Sequence, residues 1–175
     1  PQISKLKRRG EMPSIPTKLI AFDLASGQRL WEREQEIFGT WLSYSAERDL
    51  LIESGRVARD TLNDEPKGMR AWRGASGEIV WQDKNFIGPA MIHGDTILRD
   101  KGACDLLTGA PTMRQDPFTG KLAEWTWGRN YGCNTPSASE HLLTFRSGAA
   151  GYYDFCNDGG TGNFGGFRSS CTNNL

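Results

Sequence analysis

The sequence has no charge excess of either sign. Lys and Arg number 21 and Asp and Glu number 21, so the basic surplus typical of a nucleic-acid-binding domain is missing. No apolar run approaches the roughly 18 residues that cross a bilayer as a helix. There is no signal pattern of basic start, apolar stretch and small-residue cleavage site. The chain opens on Pro1 and not Met. The expectation is an interior piece of a longer product, for which a missing signal says nothing about export. Histidine is scarce, with only His93 and His141, and neither G-x-S-x-G nor H-E-x-x-H occurs. Cys104, Cys133, Cys156 and Cys171 form no C-x-x-C, which argues against zinc and thioredoxin-type sites. Long helical periodicity is lacking too. The one polar stretch with room for a helix, 54–67, is closed by Pro66.

Glycine and aromatics are what the chain does hold. There are 21 glycines in 175 residues, with six Trp, eight Phe and four Tyr. Glycine-bearing turns separated by large flat side chains suit many short antiparallel strands. Residues 1–17 start with Lys5, Lys7, Arg8 and Arg9 and no acid in the first ten positions, and read as a basic tail or solvated strand end.

A repeat runs along the rest. The first copy is Leu19-Ile20-Ala21-Phe22-Asp23-Leu24-Ala25-Ser26-Gly27-Gln28-Arg29-Leu30-Trp31, and the second runs from Met69 through Gly77 to Trp81, 50 residues later. A third, stretched copy contains Asp105 to Gly109, then Asp116 to Gly120, and reaches Trp125 and Trp127. Each part has a mechanical reason. The apolar residues form one strand, and the Asp carboxylate accepts backbone N–H groups of the following turn. Ser or Thr adds a hydroxyl, and the Gly closes the hairpin at positive φ. The next strand carries Trp four residues after the Gly, able to pack across to a neighbouring sheet. One such hairpin cannot bury its apolar face, whereas a stack of them can. The structural repeat residues are therefore Asp23, Gly27, Trp31, Gly77, Trp81, Asp105, Gly109, Gly120 and Trp125.

Strands are expected near 18–23, 28–33, 38–44, 49–54, 68–73, 78–83, 86–93, 95–99, 101–106, 121–127, 131–137, 141–146, 150–155 and 164–168. They group into half a blade up to residue 34 and four-stranded antiparallel blades at about 35–83, 84–127 and 128–170. The fold class is all-β, a partial propeller over 18–175, short of the roughly four to eight blades of a closed ring. Stretches 56–67 and 109–119 read as loop insertions on the faces, suited to carry specificity. Open end sheets are a liability, so the rest of its own chain or another protein is expected to cover them.

These residues resemble the PQQ-like β-propeller repeat, whose blades carry an apolar strand, Asp, a Thr/Ser-Gly turn and Trp. In the second copy Arg73 stands in the Asp position, which removes the expected side-chain cap of that turn though not the turn itself. Tyr131-Gly132-Cys133, the stretch Ser139 to Ser147 and the glycine-rich stretch Gly159 to Cys171 are similar to a block in large bacterial PQQ-like repeat proteins. The resemblance implies a binding or assembly-scaffold module. Family members such as the lipoprotein scaffold of outer-membrane barrel assembly bind no quinone. The alternative it implies is a segment of a PQQ-dependent quinoprotein oxidoreductase, with quinone and calcium at the propeller axis beside adjacent cysteines. No two cysteines are adjacent here, and no Glu/Asn/Asp set for the ion is evident. No cofactor is expected in this segment, with PQQ and calcium as the alternatives, and the reading leans away from an enzyme. A second alternative is a carbohydrate-binding surface of exposed Trp and Tyr.

Catalytic residues are not assigned. Glu140 and His141 point to opposite faces if extended, so a turn before a strand is preferred to an acid/base pair. His93 precedes Gly94-Asp95, a hairpin signal. Asp154, Asn157, Asp158 and Asn163 offer hard oxygens on a glycine-rich loop, the ligand type calcium takes, but not at EF-hand spacing. An ordinary hairpin loop is preferred. Trp41, Trp127, Arg129, Tyr131, Arg146 and Tyr152, with its neighbour Tyr153, are candidate binding residues, because Trp, Tyr and Arg dominate interface hot spots. Tyr152 and Tyr153 point to opposite faces, so at most one is expected to be exposed. Four cysteines allow three pairings. The resemblance implies a Cys133–Cys171 bridge, with Cys104 and Cys156 as a second pair or as thiols. A loop of nearly forty residues closed in this way gains about 4 kcal/mol. Bridges would place the protein in the periplasm or outside the cell.

Overall fold

The computed structural model describes residues 2–11, 17–55, 65–86, 88–99, 101–130, 132 and 135–166. They form two compact units: one from the described residues up to Ala90 with Leu107–Gly109, the other from Met91–Leu106 and the described residues from Ala110 on. Among the described residues the regular structure is one short helix and otherwise β-strands in antiparallel sheets.

The first unit starts with α1 (Gln2–Arg9), where a tail or strand end was expected. The helix closes at Gly10, whose N–H bonds Lys7 O at 3.2 Å while Glu11 N–H bonds Leu6 O at 3.1 Å. That is the paired bonding of a Schellman cap, and its cationic last turn suits the negative end of the helix dipole. Strands β1 (Leu19–Phe22) and β2 (Arg29–Arg33) pair as an isolated hairpin. Strands β3 (Trp41–Ser45), β4 (Leu50–Ser54), β5 (Met69–Arg73) and β6 (Ile79–Asp83) form a four-stranded meander in sequence order. The two halves of the repeat share their irregularity. The register shifts between Ala21 and Phe22 in β1–β2 and between Ala71 and Trp72 in β5–β6, positions 50 residues apart.

In the second unit β7 (Met91–His93), β8 (Thr96–Arg99) and β9 (Gly102–Asp105) form a three-stranded sheet. β10 (Met113–Gln115) and β11 (Leu122–Glu124) form a separate hairpin. β12 (Ser137–Ala138), β13 (Leu142–Ser147), β14 (Ala149–Asp154) and β15 (Thr161–Asn163) form a second four-stranded meander. Its core joins Leu98, Ala103, Trp127, Leu143, Phe145 and Tyr153.

Several boundaries differ from expectation, for reasons of hydrogen bonding. Residues 121–127 are not the fourth strand beside β9. β9 is met instead at Pro111, which bridges Cys104, and at Thr112, whose N–H bonds Ala103 O at 3.0 Å. β11 pairs with β10, so 109–119 is largely strand and turn and not a face loop. The expected strand 86–93 is regular only from Met91, and the last strand falls at Thr161–Asn163, before the expected 164–168. Residues 56–64, most of the other expected insertion and of the one expected helix, lie outside the described residues.

Candidate functional site

The repeated turn is the chemical unit of this fold. In the first copy Asp23 N–H bonds Gln28 O at 2.8 Å and Gly27 N–H bonds Asp23 O at 2.8 Å. Asp23 Oδ1 accepts Ser26 N–H at 2.7 Å and the Ser26 hydroxyl at 2.6 Å. Asp116 builds the same turn, accepting Thr119 N–H at 2.7 Å and the Thr119 hydroxyl at 2.9 Å. The stretched third copy is thus two turns in succession, at Asp105 and at Asp116. The donors hold both carboxyls below the usual carboxylate range. The Ser26 hydroxyl leads for Asp23 and the Thr119 N–H for Asp116.

The second copy forms despite Arg73, with Gly77 N–H on Arg73 O at 2.7 Å and Arg73 N–H on Glu78 O at 2.7 Å. Its cap is not absent but comes from the neighbouring strand connection. Asp49 Oδ2 accepts Ala75 N–H at 3.1 Å, and Asp49 O accepts Gly74 N–H at 2.9 Å. The Tyr44 hydroxyl donates to Asp49 Oδ1 at 2.9 Å, and that partner raises the Tyr44 pKa. Arg73 turns away to Arg48 O at 3.0 Å. Sequence reasoning missed Asp49; the available signal was the missing Asp at 73.

The repeat tryptophans seat on these turns. The Trp31 indole lies over Gly77, where an added Cβ would come within 2.6 Å of Trp31 Cδ2. Its Nε1–H donates to Gly74 O at 2.7 Å. Arg33 follows, donating to Gly77 O at 3.1 Å and Ser76 O at 3.3 Å. Trp81 covers Gly109 in the same way, 2.8 Å from a Cβ built there. Trp125, in the second unit, donates to the Tyr153 hydroxyl at 3.1 Å and to Asp158 Oδ1 at 3.2 Å. The Tyr153 hydroxyl also bonds Asp158 Oδ1, and Arg114 reaches Asp158 Oδ2 at 2.8 Å. By contrast no described residue lies within 4 Å of a Cβ built on Gly27. Beside it Leu24 is fully exposed, Phe22 58% and Leu30 54% exposed.

The middle of the four-stranded sheet in the first unit holds charge. Glu53 and Arg70 face each other across β4 and β5 and are almost fully buried. Burial pushes the Glu53 carboxyl up, against the N–H groups of Gly39 and Phe38 that favour its charged form. Arg70 lies 5.0 Å from the ring centroids of both Phe38 and Trp72 and donates to Gln82 Oε1 at 2.6 Å. Trp72 stacks in turn on Trp31, 6.5 Å between centroids and 19° from parallel. A cleft of about 400 Å³ opens nearby, lined among others by Glu32, Glu34, Glu36, Trp72 and Ile79. Lys18 Nζ bridges Glu32 and Glu34 there.

The remaining candidates are dispersed. Trp41 donates to Ala90 O at 2.6 Å, and Trp127 is buried, donating to Arg99 O at 3.0 Å. Arg146 is also interior. Neither Trp127 nor Arg146 therefore offers a surface to a partner. Arg129 is half-buried, and Tyr131 lies outside the described residues. Tyr153 is buried and Tyr152 half-buried against Phe164, the opposite facing that strand alternation dictates. No Trp of the chain is exposed. Asp154 accepts Asn157 Nδ2 at 2.7 Å and Cys156 N–H at 2.8 Å, which holds its carboxyl down. Asn163 Oδ1 accepts Gly165 N–H at 2.8 Å. Among the described residues no three His, Cys, Asp or Glu side chains converge as an ion site. His93 contacts Ser139 O at 2.9 Å and the Phe155 ring at 4.8 Å. His141 and Glu140 are exposed, with nitrogen and oxygen 3.9 Å apart.

Of the two outcomes open for Cys104 and Cys156, a second pair or thiols, the structure shows no bridge between them. Cys104 is buried on β9, held by that strand's ladder, whereas Cys156 is exposed in the turn after β14. Cys133 and Cys171 lie outside the described residues. Among the described residues no helix is long and apolar enough to cross a membrane.

No family model matches the sequence, and no curated protein sequence matches it. Among solved structures the chain is similar to the crystal structure of BamB from Moraxella catarrhalis, with a TM-score of 0.56 at 20% identity. The match covers 90% of this chain and 49% of that one, so the chain spans about half the length of its neighbour. With the antiparallel meanders and the stacked turns, this makes the fold that of β-propeller blades.

Proposed function

We propose that the chain is a binding or assembly-scaffold module of the PQQ-like propeller type, working with further protein in the periplasm or outside the cell. The observation that carries this reading is the contrast between seated and open turns. Trp31 and Trp81 cover the turns at Gly77 and Gly109, while the β1–β2 hairpin presents an open turn among exposed Ile20, Phe22, Leu24 and Leu30. Surface of that kind suits protein contact. The aromatic residues a sugar-binding face would need are mostly committed to packing, and all six Trp are at least partly buried. The quinoprotein alternative would place its cofactor ligands outside this segment. There is no adjacent cysteine pair in the sequence, and no convergent carboxylate set among the described residues.

The test is purification of the native gene product from its own cells under mild conditions, with peptide mapping. The reading expects a defined complex of constant stoichiometry, or a longer product whose further peptides complete the ring. Substrate-dependent dye reduction on adding PQQ and calcium, with a matching quinone absorbance change, would replace it by the oxidoreductase.

A further inference from the structure

We propose that Asp158–Gly159 is a modification site, where the chain rearranges through a cyclic imide to isoaspartate, and that a clamp on the Asp158 carboxylate restrains this reaction in the folded second unit. No other Asp or Asn of the 175 residues is followed by glycine. The step needs no enzyme and no co-reactant. The Gly159 nitrogen loses its proton and bonds to Asp158 Cγ, and one carboxyl oxygen leaves as water. Water then reopens the ring at either carbonyl. Opening at the former side-chain carbonyl returns aspartate. Opening at the former backbone carbonyl leaves the chain running through the side-chain carbon as isoaspartate, with the mass unchanged.

The turn between β14 and β15 favours the attack, and the clamp opposes it. Asp158 and Gly159 are both exposed, so water reaches the imide. Gly159 has no side chain to shield its nitrogen, and the nearest described atom to a Cβ built there is Asp154 Oδ2 at 3.9 Å. Asp158 holds φ +47°, a left-handed conformation that a residue with a side chain keeps only when its surroundings determine it. Its carboxylate is held from three directions. Oδ1 accepts the Tyr153 hydroxyl and, at 3.2 Å, the Trp125 indole N–H, while Oδ2 accepts Arg114 at 2.8 Å. Tyr153 is buried and meets the Trp125 ring edge-on, 5.2 Å between centroids. Arg114 lies on β10 and Trp125 directly follows β11, so these two donors come from outside the turn that holds Asp158. Cγ reaches the Gly159 nitrogen only by turning out of this clamp. The same contacts give the product a consequence. Isoaspartate carries its carboxylate on a backbone longer by one carbon, which takes the acceptor away from Arg114 and Trp125.

The experiment incubates the full chain at neutral pH and follows isoaspartate at position 158 by electron-transfer fragmentation of the mapped peptide. A free peptide of residues 152–163 is incubated beside it. The free peptide should convert fastest and the folded chain slowest. Arg114→Ala should speed conversion in the folded chain by about tenfold, the worth of one charge-assisted hydrogen bond. Trp125→Phe keeps the ring, removes one donor and should speed it less, which preserves the test if the arginine variant fails to fold. Gly159→Ala, whose methyl makes only an ordinary contact, should all but stop it. In the converted chain the Trp125 indole N–H resonance should shift. Conversion in the folded chain as fast as in the free peptide overturns the clamp, as does an unchanged rate in both clamp variants. Absence of isoaspartate from the denatured chain, over a period in which the free peptide converts, overturns the site. An unmoved Trp125 resonance after conversion overturns the consequence drawn for the hairpin.

Discussion

A matched pair of substitutions, Gly27→Ala and Gly77→Ala, isolates the energy of tryptophan seating. Both glycines close the same turn, at φ +69° and +66°. Placing an L-residue in that region costs about 1–2 kcal/mol, and this share should be common to both. Gly27 has open space where the methyl would go, while at Gly77 the methyl would sit 2.6 Å from Trp31 Cδ2. The indole must lift, which strains its hydrogen bond to Gly74 O. Overpacking of this kind costs about a further 1–3 kcal/mol. Gly77→Ala should therefore be the more destabilising by about 1–3 kcal/mol. For a chain of this length that is a separation of about 2–12 °C in Tm, at about 2–4 °C per kcal/mol. Urea unfolding followed by tryptophan fluorescence measures both, and both report on the first unit. In a Trp31→Ala background the penalty of Gly77→Ala should fall to that of Gly27→Ala, because the ring it displaces is gone. Equal penalties in the parent chain, or no relief in the double variant, would refute the argument that the ring and not the backbone distinguishes the turns.

Asp49→Ala should cost about 1–2 kcal/mol by removing the side-chain cap on Ala75 N–H and the Tyr44 partner. Adding Arg73→Asp should recover most of it, since the turn would then cap itself as Asp23 and Asp116 do; chemical denaturation measures both. Glu53 has a raised pKa in the folded state, so the fold binds its proton more tightly than the unfolded chain does. Stability should fall as pH rises from the ordinary carboxyl value of 4.5 through the folded value, by up to about 1.4 kcal/mol per pH unit. Glu53→Gln should remove that slope in pH-dependent unfolding. The lowered carboxyls of Asp23, Asp116 and Asp154 act oppositely, stabilising above their ordinary range and losing that contribution as acid protonates them. Alkylation of the native chain, mapped by mass, should modify Cys156 quickly and Cys104 slowly. Protection of both until reduction would restore the bridge the structure lacks.

The repeat was legible because its chemistry is local. Asp, Ser or Thr and Gly satisfy one another within five residues at Asp23 and Asp116, and Trp follows on the adjoining strand, so the spacing alone carries the turn. Strand alternation likewise set Tyr152 and Tyr153 on opposite faces, and packing decided that Tyr153 is the buried one. What the sequence could not reveal depends on partners distant along the chain. The cap of the 73–77 turn comes from Asp49, 24 residues upstream of Arg73, which no local pattern announces. Residues 121–127 have the apolar and aromatic character of a blade strand, but Pro111 and Thr112 reach β9 first, and backbone hydrogen bonding between β10 and β11 decides the rest. Trp127 and Arg146 read as surface anchors by residue type and are interior by packing. Glu53 and Arg70 are ordinary charged residues in the sequence. Only the pairing of β4 with β5 sets them opposite each other away from water, and desolvation then shifts the carboxyl.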